Sequence, residues 1–144
     1  MNPPGWSRLF LVLGLAPIAA TVSTAQVRTR FGLAVPMRDG VQLVADLWLP
    51  AGKGPFPAIV FQTPYQRTLE LVSGNRPPEM GEYFARHGYA WMAQDTRGRG
   101  DSDGSFSFFH DDGRDGYDTI EWVARQSWSD GRVCTMGVSY MGTV

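Results

Sequence analysis

Close to the end of this 144-residue chain stands Gly137-Val138-Ser139-Tyr140-Met141-Gly142, directly after the apolar run Val133-Cys134-Thr135-Met136. A strand that runs into Gly-x-Ser and leaves through small residues holds the serine on a sharp, strained turn with its hydroxyl exposed, the posture of a nucleophile in acyl transfer. Such a serine works with a general base and with an acid that orients the base, and where this turn is used both follow the serine in the chain. The sequence reaches Val144 without them. The expectation is therefore an attacking group whose activators are missing, in a chain that does not turn over substrate alone. The usual pattern also places glycine two residues after the serine, where this sequence has Met141, with glycine one place later at Gly142. Taken alone, the motif competes with an ordinary glycine-rich strand-to-helix turn, and the preceding strand is the context that favours the nucleophile.

Acyl transfer also needs donors aimed at the developing oxyanion. The backbone N–H of the residue after the nucleophile, Tyr140, is the first candidate. A second has to come from a loop at the carboxyl end of a neighbouring parallel strand, which is where open α/β sheets place their sites. Gln62-Thr63-Pro64-Tyr65 follows such a strand, and the Tyr65 hydroxyl is the group that could donate. By spacing alone, Tyr65 reads equally as a surface tyrosine packed on Pro64.

The remaining chemistry-bearing residues read more plainly. His87 sits at a predicted helix end, where a cation meets the negative end of the dipole. His110 lies upstream of Ser139, out of order for the base of this turn. Arg99-Gly100-Asp101 is an adhesion tripeptide, a match too short to carry weight without context. The same loop fails as a dinucleotide fingerprint because Asp103 stands where the third glycine belongs. Asp111 to Trp122 fails as a calcium loop, with Gly113 at its third position and Trp122 in place of the bidentate glutamate. Cys134, the single cysteine, excludes an internal disulfide and reads as a small apolar core residue.

The elements that must position these groups follow from periodicity. Val27 to Val35 and Val41 to Leu49 read as strands joined through the turn Met37-Arg38-Asp39-Gly40, an antiparallel hairpin. Ala58-Ile59-Val60-Phe61 and Tyr89-Ala90-Trp91-Met92-Ala93 are the continuous apolar runs of strands buried on both faces. A helix over Met80 to His87 is closed by Gly88 as a left-handed cap. A second helix, capped by Asp115 with Tyr117, Ile120, Val123 and Ala124 on its apolar face, leads into a strand over Arg132 to Met136. The alternation of strand and helix implies right-handed crossovers and a mostly parallel sheet preceded by the hairpin.

Met1 to Ala25 has the form of an export signal, with Arg8 before the apolar stretch Leu9 to Ala20 and Ser23-Thr24-Ala25 as a small-residue cleavage site. The apolar stretch is interrupted by Pro17 and is short of a bilayer span. The expectation is a secreted or periplasmic protein, with no membrane contact after cleavage and a single small domain over 26–144. Net charge is −1, and no basic run interleaves with aromatics, which argues against nucleic acid and for a small molecule or peptide as partner.

In its sequence the chain resembles the secreted bacterial hydrolases related to cocaine esterase, Xaa-Pro dipeptidyl-peptidases and α-amino-acid ester hydrolases. The resemblance rests on Val35-Pro36-Met37-Arg38-Asp39-Gly40-Val41, Gln62-Thr63-Pro64-Tyr65, Gln94 to Gly104, Asp115 to Trp122 and Gly137 to Gly142, which occur in the family's order. It accounts for Met141, because this family writes its turn as G-x-S-Y-x-G. It implies the N-terminal part of an α/β-hydrolase fold, cut just after the nucleophile. It also implies Ser139 as the acylated residue, an oxyanion hole of the Tyr65 hydroxyl and the Tyr140 N–H, ester or amide (peptide) substrates, and no cofactor or metal. Gln62 is a departure, since relatives often carry arginine there. The alternatives from other classes are a non-catalytic relic of the fold and an adhesion module using Arg99-Gly100-Asp101.

Overall fold

Alternation along the strands decides how the layers form. In the computed structural model, which describes residues 26–68 and 77–143, five strands make one sheet in the order β1-β2-β4-β3-β5. These are β1 (Arg28–Pro36), β2 (Gln42–Leu49), β3 (Phe56–Thr63), β4 (Ala90–Asp95) and β5 (Ser129–Thr135). The first pair is the expected hairpin, antiparallel and turned at Gly40 (φ 88°). β2 meets β4 antiparallel, and β3 then runs parallel to both β4 and β5.

Ala58, Val60, Ala90 and Met92 face one side, where α2 (Asp112–Ala124) contributes Val123 to a core that includes Leu43, Leu47 and Trp128. The residues between them, Ile59, Phe61, Trp91 and Ala93, face the other side with Trp48 and with Ala85 of α1 (Pro77–Arg86). A strand whose two faces are both covered must be apolar throughout, which is why β3 and β4 read as unbroken apolar runs. Gly81 lets α1 settle on Trp48, since a Cβ there would lie 2.3 Å from the indole Cδ2. Gly88 ends the helix with φ 90°, while Tyr89 N–H donates to the Phe84 carbonyl at 3.0 Å, as the sequence predicts.

Three expectations are corrected. Asp115 does not cap α2: the helix begins at Asp112 with Asp111 at its N-cap, and the Asp115 carboxylate instead receives Arg97 through Nε at 2.8 Å and Nη2 at 2.7 Å. The apolar face is rotated as well. Tyr117 is exposed with the Arg38 guanidinium 5.5 Å from its ring centroid, and the buried positions are Asp115, Gly116, Thr119 and Val123. Polar pairing draws that face inward, because Thr119 Oγ1 donates to Gln94 Oε1 at 3.0 Å and Gln62 Nε2 donates to both partners. Cys134 is exposed rather than in the core. β5 is an edge strand, and α1, the helix that covers the Ile59 and Phe61 face of β3 and β4, does not extend over it. The export segment expected at Met1–Ala25 lies outside the described residues.

Candidate active site

After Thr135 the β5 ladder extends one residue further, with Met136 N–H donating to the Val60 carbonyl at 3.0 Å. Val138 is still extended (φ −123°, ψ 143°), and Ser139 then reverses the backbone with φ 59° at the start of a short 3-10 turn, Ser139–Gly142. Left-handed backbone costs a non-glycine residue roughly 1–2 kcal/mol, so it persists only where its surroundings impose it.

Gly137 imposes it. Its Cα faces the far side of the turn so closely that a Cβ would lie 1.8 Å from the Met141 carbonyl oxygen and 2.7 Å from Gly142 N. Gly142 closes the same contact, its Cβ position falling 3.0 Å from the Gly137 oxygen. The close approach is therefore made by Gly137 and Gly142, which leaves the position two after the serine free for Met141. That side chain packs against the Trp48–Trp91 core. Ser139 is exposed, and its hydroxyl makes no hydrogen bond among the described residues.

Tyr140 anchors the turn from the other side. Its ring is buried, stacked on Phe109 with centroids 4.6 Å apart and flanked by Phe108 at 5.0 Å. Its hydroxyl donates to Asp112 Oδ2 at 2.6 Å, tying the turn to the first residue of α2. Burial, together with the Asp112 carboxylate, pushes this phenol up to about 12. Because the folded value is raised, the neutral donor and its stabilisation hold below the ordinary phenol range and are lost only as the pH rises from about 10 through that value. Tyr140→Phe is expected to lower stability by about 1–2 kcal/mol in urea unfolding, since a charge-assisted bond is lost and Asp112 is left without its donor. The Tyr140 backbone N–H, at the second position of the 3-10 turn, precedes the first N–H that such a turn can bond internally.

Tyr65 leaves β3, the strand between β4 and β5, at its carboxyl end. The Tyr65 loop and the Ser139 turn thus emerge from adjacent parallel strands at one edge of the sheet. Tyr65 is 52% exposed and is held through its backbone, its N–H donating to Thr63 Oγ1 at 3.1 Å.

Among the described residues neither histidine is hydrogen-bonded to Ser139. His87 Nδ1 lies 2.7 Å from the Tyr83 carbonyl at the end of α1, just before β4 begins and so at the opposite edge of the sheet. His110 lies 3.3 Å from Asp111 Oδ1 with its side chain 75% exposed. The Arg-Gly-Asp loop is exposed, and both of its charged side chains have partners within the protein. Arg99 sits 4.0 Å over the Phe106 ring centroid, and Asp101 Oδ2 lies 2.9 Å from Arg67 Nη1. Among the described residues no group of three or more His, Cys, Asp or Glu is arranged to hold a metal ion.

Two features of the site escaped sequence reasoning, the Asp112 partner of Tyr140 and the buried cluster of Arg67 with Asp46 and Asp95. The second left a trace, in that the apolar strand Ala90–Asp95 ends on a carboxylate that is fully buried.

Comparison with known proteins gives the same outline. A family model described as X-Pro dipeptidyl-peptidase (S15 family) matches residues 39–144. A cocaine esterase from Rhodococcus sp. (strain MB1 Bresler) is 42% identical over 108 residues, which cover 75% of this chain and 19% of that protein. Among solved structures, an α-amino acid ester hydrolase superposes with a TM-score of 0.67 at 29% identity, covering 95% of this chain and 25% of the other. A CocE/NonD family hydrolase from Staphylococcus aureus superposes with a TM-score of 0.69 at 28% identity, covering 78% and 23%. The chain thus spans about a fifth to a quarter of the length of these relatives, and the fold it shares with them is the N-terminal part of an α/β-hydrolase.

Proposed function

The chain belongs to the X-Pro dipeptidyl-peptidase (S15) family, and from that premise we propose that it carries the nucleophile and oxyanion-binding half of a serine hydrolase that cleaves ester or amide bonds. Ser139 Oγ attacks the carbonyl carbon, its proton passes to a base, and the oxyanion is received by the Tyr65 hydroxyl and the Tyr140 N–H. Collapse expels the alcohol or amine, which takes that proton, and water then releases the acyl group from Ser139. The observation that carries this reading is the left-handed, exposed Ser139 at the end of β5, held by a glycine with no room for a side chain. The base and its acid belong, on this reading, to the part of the relatives' length that this chain does not span. The pattern of Met1–Ala25 supports a secreted or periplasmic setting on the same footing.

Without a base the serine hydroxyl is un-ionised at neutral pH and a weak nucleophile. The 144-residue chain is expected to react with a fluorophosphonate only at background rate, whereas the chain extended through the length of its relatives labels at Ser139, as read by peptide mass spectrometry. Rapid labelling of the 144-residue chain would overturn the missing-base argument, and an unlabelled Ser139 in the extended form would overturn the nucleophile assignment.

A further inference from the structure

The Tyr65 phenol has no side-chain hydrogen bond among the described residues, and half of the residue is in solvent. Nothing on its ring aims it. Its direction comes from the backbone on either side, and that backbone is bound in an unusual way.

On the N-terminal side, Tyr65 N–H is fixed to Thr63 Oγ1 at 3.1 Å. On the C-terminal side Gln66 takes a left-handed conformation, φ 72°, which an ordinary residue keeps only when its neighbours over-determine it. The neighbour that does so is Arg67, which is 6% exposed. Its backbone N–H donates to Asp95 Oδ1 at 2.7 Å while its guanidinium Nη1 donates to Asp95 Oδ2, so one carboxylate grips both the main chain and the side chain of one residue. Nη1 also lies 2.9 Å from Asp101 Oδ2, and Nε lies 3.0 Å from Asp46 Oδ1.

The carboxylates are themselves fixed. Asp95 is the register partner of Thr63 across β3 and β4, so the anchor rides on the strand beside the one that delivers Tyr65. The Asp101 N–H donates to Asp95 Oδ2 at 3.2 Å, and Gly100 packs against that carboxylate so tightly that a Cβ would lie 2.1 Å from Oδ2. Asp46 Oδ1 accepts the Gly32 N–H at 2.9 Å from the bulge in β1. A buried ion cluster is weak evidence for stability, because desolvation offsets much of the attraction. What a planar, forked guanidinium contributes is geometry.

We propose that Arg67, held by Asp95 with Asp46 and Asp101, is the positioning residue that sets the Tyr65 hydroxyl toward the oxyanion. This rests on the oxyanion role proposed above for Tyr65. Misplacing a reacting or stabilising group by about 1 Å is enough for a 100-fold loss of rate, and lysine keeps the charge of Arg67 without its fork.

The test has two arms. In the 144-residue chain, 3-fluorotyrosine is placed at position 65 or, as a control, at position 140, and 19F spectra are recorded for the parent, Arg67→Lys and Asp101→Asn. Asp101 is the most exposed of the three carboxylates, so its neutralisation keeps the fold should Arg67→Lys fail to. The parent is expected to give one narrow resonance at position 65. The variants broaden or split it, Arg67→Lys more than Asp101→Asn, and leave position 140 unchanged. In the extended form, Arg67→Lys is expected to lower kcat for an activated ester about 10- to 100-fold with little change in KM. The Tyr65→Phe and Arg67→Lys double variant is then no slower than Tyr65→Phe alone, because the two act through one group. An unmoved position-65 resonance in both variants, or losses that add, would overturn the proposal. Absence of hydrolysis in the extended parent would count against the serine assignment, and the spectra would still decide the clamp.

Discussion

Replacing Ser139 with alanine in the extended form is expected to reduce ester hydrolysis by about 10⁶-fold, down to the rate that oxyanion binding alone supports. Far-UV circular dichroism should not change, because the side chain is exposed and makes no hydrogen bond among the described residues. Glycine at the same position sharpens the test. The backbone of Ser139 sits at φ 59°, which glycine adopts freely and other residues adopt at roughly 1–2 kcal/mol. Ser139→Gly is therefore expected to be as inactive as alanine while being up to about 1 kcal/mol more stable in urea unfolding, after the greater entropy of glycine in the unfolded chain is subtracted. Strain that disappears with function is the signature of a conformation kept for chemistry. Hydrolysis of Ser139→Ala within about tenfold of the parent would remove Ser139 as nucleophile, since a true covalent nucleophile contributes orders of magnitude more.

Gly137→Ala is the second large effect. The added methyl would stand 1.8 Å from the Met141 oxygen, 2.2 Å from its carbon and 2.7 Å from Gly142 N. All three are backbone atoms, so no rotamer change relieves the overlap and the turn itself has to open. We expect a loss of about 1–3 kcal/mol in stability, the usual scale of overpacking. Fluorophosphonate labelling of the extended form should fall at least 100-fold, because opening the turn moves Ser139 Oγ and the Tyr140 N–H together. Gly142→Ala is the control. Its Cβ position lies 3.0 Å from the Gly137 oxygen, a contact that a small shift can accommodate, so most of the labelling should survive. Equal effects at the two positions would mean that the turn is not held by the Gly137 contact.

Much of this architecture could be read before any coordinates. Unbroken apolar runs at Ala58–Phe61 and Tyr89–Ala93 identified strands covered on both faces, and the Asp39-Gly40 turn identified the hairpin, because burial and turn geometry each act on residues near one another in sequence. Errors fell where a residue's environment is made by distant parts of the chain. Cys134 looks like core from its apolar neighbours, yet it is exposed because among the described residues β5 pairs only with β3, while α1 contacts β2 and β4. Asp115 reads as a cap from its residue type and Tyr117 as core from helical spacing, yet the helix is rolled by Arg97, Gln62 and Gln94, all of which lie well outside it in the chain.

The site divides along the same line. Local sequence identified the serine on its turn, since Gly137, Ser139 and Gly142 fall within six consecutive residues and the steric demand of a tight reversal is a short-range property. It also carried the family, through motifs that keep one order along the chain. Which face of the turn Tyr140 buries, how Asp112 receives its hydroxyl, and how Asp46, Asp95 and Asp101 converge on Arg67 emerged only from the folded chain. Those partners are separated by 28 residues for Tyr140 and Asp112 and for Arg67 and Asp95, and by 34 for Arg67 and Asp101. No periodicity links such pairs, and only the registry of the sheet and the packing of α2 bring them within hydrogen-bond reach.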